Sequence, residues 1–291
     1  MDKQPSDDEI ELPEGLRSRK RTYLSVFVAI IFTTAIAAAI FLPIVLMPVV
    51  DGADSSRRRD LSVDTHLPDD LTDTVRASAE RTVAIRSPVN PQEDESHFGS
   101  GFLVRASIVV TAAHVIEDPK RGLPTYIFCA GARVKGVVLS YDTLRDLALI
   151  RAEGCVADAV SFDEKELLID DALHIAGFVF PHNDRNETDV AMRFYRATSP
   201  IPNAIIKPET LAPTNRDQVA IAKNIRAMQQ QNIPRYQAIS SAAIPGQSGS
   251  PVFRGNGAIV GVLVIYDPTR DRSFIVPATS VISVMRAAGI Q

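Results

Sequence analysis

From about Val75 onward the apolar residues arrive in short bursts, and that rhythm limits the folds open to the chain. RTVAIRS, GSGFLVR, SIVVTAA, TYIFCA, RVKGVVLS and LALIRAE follow one another with short turn-like gaps. They are rich in Val and Ile and too short for stable helices, so they read as strands. A polar, acidic stretch, SFDEKELLIDD, then separates them from a second set: ALHIAGFVF, VAMRFYRA, RYQAISS, SPVF, GAIVGVLVI and RSFIVP. Two sets of about six strands predict an all-β protein of two small antiparallel barrels, the first over about 75–165 and the second over about 166–291. At the end, TSVISVMRAAG switches to helical spacing, with Thr279 placed to cap a closing helix.

One long stretch breaks this rhythm. Between Pro202 and Tyr236 the chain reads KPETLAPTNRDQVAIAKNIRAMQQQNIP, with helical propensity from about Asp217 to Gln231. It reads as an insertion on a surface loop, where specificity is often set.

The N-terminal part obeys a different rule. Residues 23–50, from Tyr23 to Val50, contain no charge, which exceeds the roughly 20 apolar residues that cross a bilayer core. Pro43 and Pro48 end the regular span. A cleaved signal peptide is the competing reading. The apolar run is longer than a signal core, and the preceding stretch is long and acidic, so an anchor is favoured. Arg17, Arg19, Lys20 and Arg21 press against its start and favour a cytoplasmic N-terminus. Residues 1–22 would be a cytoplasmic tail and 51–74 a polar tether. The domain from 75 to 291 would then lie in the periplasm or outside the cell, on an inner or plasma membrane. Asn186-Glu187-Thr188 is a glycosylation triplet of the kind that arises by chance.

The net charge of −4 argues against a nucleic-acid partner. With two cysteines, Cys129 and Cys155, and no Cys/His cluster, no metal site is expected. In an oxidising compartment the two could pair and contribute about 3 kcal/mol; two separately buried thiols are the alternative.

The candidate chemistry centres on SSAAIPGQSGSPVF, residues 240–253. A serine hydroxyl is a poor nucleophile unless a base takes its proton and a third group orients that base. Gly246 and Gly249 allow a tight loop that exposes the hydroxyl of Ser248 and turns backbone N–H groups inward. Of five histidines, His66, His97, His174 and His182 lack such a context, whereas His114 leaves the strand pattern SIVVTAA. The orienting acid is sought at TLRDLALI, where Asp146 precedes an apolar strand and Asp142 competes with it.

These segments, in the order histidine, aspartate, serine, resemble the trypsin-like (chymotrypsin-fold) serine proteases. GSGFLVRASIVVTAAHVI is similar to the histidine segment, DLALI to the aspartate segment and IPGQSGSPVF to the serine segment. The HtrA-type branch is the nearest likeness, over roughly residues 81–288. The resemblance implies a chymotrypsin-like pair of six-stranded barrels with His114, Asp146 and Ser248 between them. It makes Ser248 the nucleophile, His114 its base and Asp146 the group orienting His114, with the N–H groups of Gly246 and Ser248 as oxyanion hole. It places a primary pocket at Ala242, walled by Leu263, Val264 and Ile265. Without an acid there, small or medium apolar side chains fit best. A protein or peptide substrate, no cofactor and a possible homo-oligomer follow from the same likeness.

Three departures matter. Gln247 stands where digestive relatives carry an aspartate, so no switch triggered by N-terminal cleavage is expected. No PDZ domain is expected after the closing helix. Ser250 replaces a common glycine and should stiffen the loop slightly. The rival readings are a catalytically silent binding or scaffold protein on the same fold, and an esterase using the same three residues.

Overall fold

The computed structural model describes residues 62–92, 95–180, 189–199, 236–241, 243–267 and 272–291, together with Ala227, Gln230 and Gln231. β1 (Ser62–Asp64) and α1 (Asp73–Ala79) come first. The six runs of the first set are β2 (Thr82–Pro88), β3 (Ser96–Arg105), β4 (Ile108–Thr111), β5 (Thr125–Cys129), β6 (Ala132–Asp142) and β7 (Leu147–Arg151). They close into an antiparallel barrel in the order β2-β3-β4-β7-β6-β5, and β5 returns to β2. Val83, Ile85, Phe102, Val109, Ile127, Leu149 and Ile150 are almost fully buried. Burying one such side chain contributes about 1.5–3 kcal/mol.

The second set gives β8 (Ala172–Val179), β9 (Asp189–Thr198), β10 (Gln237–Ile239), β11 (Pro251–Arg254), β12 (Ile259–Asp267) and β13 (Arg272–Pro277), followed by α2 (Ala278–Ala287). Here the expectation of a second closed barrel fails. The strands form an open seven-stranded sheet, β1-β9-β8-β11-β12-β13-β10. The reason is edge occupancy. β1 pairs in parallel with Asp189–Ala191 and takes one end of the outer edge of β9. β10 is only 3 residues long. It reaches the other end of β9 through a single bridge, Ser240 to Thr198, where Ser240 N–H donates to Thr198 O at 2.8 Å. One bridge leaves the seam open.

Two local expectations also change. Thr279 does not cap α2: the helix begins at Ala278 with Pro277 as N-cap and no side-chain cap bond. β13 runs directly into the helix through Pro277, whose restricted φ suits a helix start, so Thr279 falls inside the first turn. The polar stretch 51–74, read as a tether, is in its later part packed on the domain, since Ser62–Asp64 is a sheet strand and Leu67 is buried. Residues 23–50 lie outside the described residues, as do His182, the Asn186 triplet, Ala242 and most of the insertion. Among the described residues no helix is long and apolar enough to cross a membrane.

A disulfide braces the first barrel, and a set of ion pairs braces the second sheet. Cys129 and Cys155 form a disulfide across a separation of 26 residues. It ties the end of β5 to the chain just beyond β7, and closing a loop of that length stabilises by about 3 kcal/mol. Arg254, at the end of β11, holds Asp163 at 2.9 Å and Asp171 at 2.6 Å. It pins the acidic inter-sheet stretch onto the second sheet. Burial pushes the Asp171 carboxyl up, but the Leu168 N–H and Arg254 outweigh this and hold it below the usual carboxylate range.

His174 on β8 carries a pH prediction. Its ring lies 5.4 Å from that of Phe194 and 5.9 Å from that of Phe253. Its Nδ1 is buried with no hydrogen-bond partner. Burial, then the nearby Arg196, lower its pKa in the folded protein. Above about pH 6.5 neither the folded nor the unfolded form is protonated and nothing is at stake. Below that, the unfolded chain binds the proton first, so stability falls with falling pH until the folded ring also protonates. His174→Phe keeps the ring stack and removes the titration. Its urea midpoint should decline less between pH 7 and pH 5 than the parent's; parallel curves would refute the assignment.

Candidate active site

β4 ends at Thr111, and small buried residues, Ala112 and Ala113, let the chain turn tightly into one 3-10 turn, Ala113–Val115. His114 sits in that turn, about half exposed. Opposite it, Asp142 shapes the β6–β7 turn. Its Oδ1 accepts the N–H groups of Leu144 at 3.0 Å and Arg145 at 2.9 Å, and its Oδ2 pairs with the Arg145 guanidinium at 2.6 Å. The turn brings Asp146 out in a left-handed conformation, φ 55°, which Asp tolerates better than most residues.

Asp146 then receives three bonds from the histidine turn. Its carbonyl accepts Ala113 N–H at 3.1 Å. Its Oδ1 accepts the His114 backbone N–H at 3.0 Å, and its Oδ2 lies 2.7 Å from His114 Nδ1. An ionised carboxylate only accepts, so Nδ1 carries the proton and the basic lone pair is on Nε2. Asp142 therefore builds the turn, and Asp146 is the carboxylate that meets the imidazole.

The serine loop is anchored from both sheets. Gly249 N–H donates to Leu263 O at 2.7 Å, and Leu263 N–H to Ser250 O at 2.9 Å. Gln247 caps the loop: its Oε1 accepts Ile244 N–H at 2.9 Å, its own N–H donates to Ile244 O at 3.2 Å, and its carbonyl accepts Ser250 N–H at 3.0 Å. From the barrel side, Ser100 N–H donates to Ser248 O at 2.8 Å, and Ser100 Oγ donates to Gly246 O at 2.9 Å. The N–H groups of Gly246 and Ser248 take no part in these anchors. Gly246 has φ 97°, and a Cβ there would meet the Phe180 ring at 2.6 Å and Phe178 O at 2.8 Å. Only glycine fits.

Gly99 marks where the two segments meet. A Cβ on it would lie 2.5 Å from the Val115 side chain, next to His114, and 3.0 Å from Ser248 O. Of the pocket residues, Leu263 and Val264 have side chains buried in the two apolar cores, and Ile265 is partly buried. His66 and His97 are exposed; His97 faces Glu117 at 3.4 Å.

Several contributors escaped the sequence reading. Phe98, 39% exposed, lies 4.6 Å ring to ring from Phe180 and forms an aromatic wall beside Gly246. Tyr236 is buried near Asp146 and Asp142; burial first, then their charge, raises its phenol pKa. Ser100 was legible only as one letter of GSG.

No curated protein matches the chain. Among solved structures, the active form of the Rv3671c protease from M. tuberculosis aligns with TM-score 0.58 at 18% identity, over 81% of this chain and 92% of that one. Its inactive form aligns with TM-score 0.54 at 18% identity, over 75% and 93%. The serine endoprotease from Yersinia pestis aligns with TM-score 0.53 at 15% identity, over 77% and 68%. At such identities the likeness establishes the fold. The trypsin-like peptidase domain family matches residues 99–262, a span that begins in β3 and ends in β12. That span exceeds half of the 291 residues, and the protein belongs to the trypsin-like peptidase family.

Proposed function

We propose that the protein is a membrane-anchored serine endopeptidase that hydrolyses peptide bonds outside the cytoplasm through an acyl-enzyme. The observation that carries this reading is the pair of hydrogen bonds between His114 and Asp146, at 3.0 and 2.7 Å, on the same barrel that anchors the Ser248 loop. Ser248 Oγ attacks the scissile carbonyl while His114 Nε2 takes its proton. Negative charge on the carbonyl oxygen is received by the N–H groups of Gly246 and Ser248. The C–N bond then breaks, His114 protonates the leaving amine, and water repeats the sequence on the ester. Asp146 holds the tautomer that this cycle needs.

The uncharged run 23–50 with its preceding basic cluster supports the anchor. The Cys129–Cys155 disulfide suits an oxidising compartment. The family resemblance assigns the primary pocket to Ala242 and the segment 263–265, all apolar residues with no acid among them. That pocket takes small or medium apolar side chains.

The test is a fluorophosphonate probe applied to the full chain in membranes. Ser248 Oγ should form a bond to phosphorus with loss of fluoride, and peptide mass spectrometry should map the adduct to Ser248. A folded protein that stays unlabelled refutes the reading.

A further inference from the structure

We propose that Ser100 is a positioning residue that sets the serine loop for reaction, acting through main-chain groups and never touching substrate. The inference rests on the protease reading above. Ser100 lies on β3 and is fully buried. Four hydrogen bonds converge on it. Its N–H donates to Ser248 O at 2.8 Å, and its carbonyl accepts the Thr111 hydroxyl at 2.6 Å. Its Oγ lies 2.8 Å from Phe178 N and 2.9 Å from Gly246 O. The direction of the last two is forced: an amide N–H can only donate, so Oγ accepts from Phe178 and spends its single proton on Gly246.

One residue thus clasps the loop on both sides of the peptide bond that presents the Ser248 N–H. It also joins the closed barrel, the loop and β8 of the second sheet at one atom. Gly246 has no side chain with which to hold its own peptide plane, and its φ of 97° is a conformation that other residues avoid. The carbonyl anchor supplies what a side chain cannot. Without Oγ, Gly246 O lacks a donor and Phe178 N–H lacks an acceptor. Buried groups left unpaired in this way are costly, and these two are complementary. Closing the gap between them pulls Gly246 toward β8 and turns the loop away from the reacting position.

The expected signature is kinetic. Deleting one oxyanion donor outright slows reaction about 10²–10³-fold; displacing it should cost somewhat less, roughly tenfold to a hundredfold. Full-length Ser100→Ala should therefore show a fluorophosphonate inactivation rate constant lower by about that factor. Its half-saturating probe concentration should stay within about threefold, and labelling should still go to completion, because positioning acts on the reacting state rather than on probe binding. Ser100→Cys, which keeps a weak donor at similar volume, should fall between the two. If Ser100→Ala does not fold, Ser100→Cys decides by the same criteria. A wild-type rate constant overturns the proposal, as does a wild-type rate constant with a reduced labelling endpoint, which marks a purely structural role. A wild-type protein that does not label at all sinks the protease reading itself, and this inference with it.

Discussion

Asp146→Asn should lower turnover about 10⁴-fold, the scale of mispairing a catalytic imidazole, with thermal stability nearly unchanged. The geometry dictates which way the new amide faces. Asp146 Oδ1 accepts the His114 backbone N–H at 3.0 Å, and only the amide oxygen of Asn can replace it there. The NH₂ group is then left against His114 Nδ1, where Oδ2 now lies at 2.7 Å. Being a donor, it forces Nδ1 to accept and moves the ring proton to Nε2. The base then has no lone pair for Ser248. Asn also tolerates the left-handed φ of 55° at this position, so little backbone strain is added. Asp142→Asn is the informative partner. Its amide oxygen can still accept the Leu144 and Arg145 N–H groups, so only the Arg145 ion pair is lost. Turnover should change a few-fold at most, as expected for a partly exposed pair. Peptide hydrolysis normalised to fluorophosphonate-titrated sites would measure both. Equal losses in the two variants would mean that the turn as a whole, and not the orientation of His114, limits the reaction.

That contrast shows where the sequence was informative. Two carboxylates four residues apart could both have served, and what favoured Asp146 was its place at the mouth of an apolar strand. The structure gives Asp142 a different task, building the turn that delivers Asp146. All twelve apolar runs correspond to strands, because Val- and Ile-rich stretches bounded by turn residues have few other ways to be buried. β1 was missed for the converse reason: Ser62–Asp64 is only 3 residues long with a single apolar residue, too short a run to show a strand pattern. The openness of the second sheet was not legible either. It depends on which strand occupies which edge of β9, a matter of long-range pairing that local pattern does not encode.

The serine loop was read more shallowly than the histidine turn. Its glycines announced a constrained loop, but the partners that constrain it come from far along the chain. Ser100 is 146 residues from Gly246 and 78 from Phe178. Ser250 is a sharper case. A small stiffening was expected of it, yet it is fully buried with its Oγ unpartnered, against Gly177 of β8.

That contact gives the largest stability effect. A Cβ added at residue 177 would overlap Ser250 Oγ, and would lie 3.2 Å from Ser250 Cβ and 3.3 Å from Gln247 Cγ. Ser250 cannot swing away, since it is enclosed and its main chain is held by Gln247 and Leu263. Gly177→Ala should destabilise by about 3 kcal/mol, the upper range of overpacking, or about 6–12 °C in melting temperature for a domain of this size. It should also slow reaction at Ser248, because Gln247 is displaced with it. Ser250→Ala removes a buried hydroxyl that has no partner, and should be neutral or stabilising by up to about 1 kcal/mol. In the double variant the colliding atom is gone and the Cβ–Cβ approach is tight but bearable. Most of the lost stability and rate should return, with a coupling of about 2 kcal/mol in a double-mutant cycle. Simple additivity of the two effects would show that residue 177 is limited by something other than this hydroxyl. The next suspect would then be Gln247, whose side chain caps the loop from the same side.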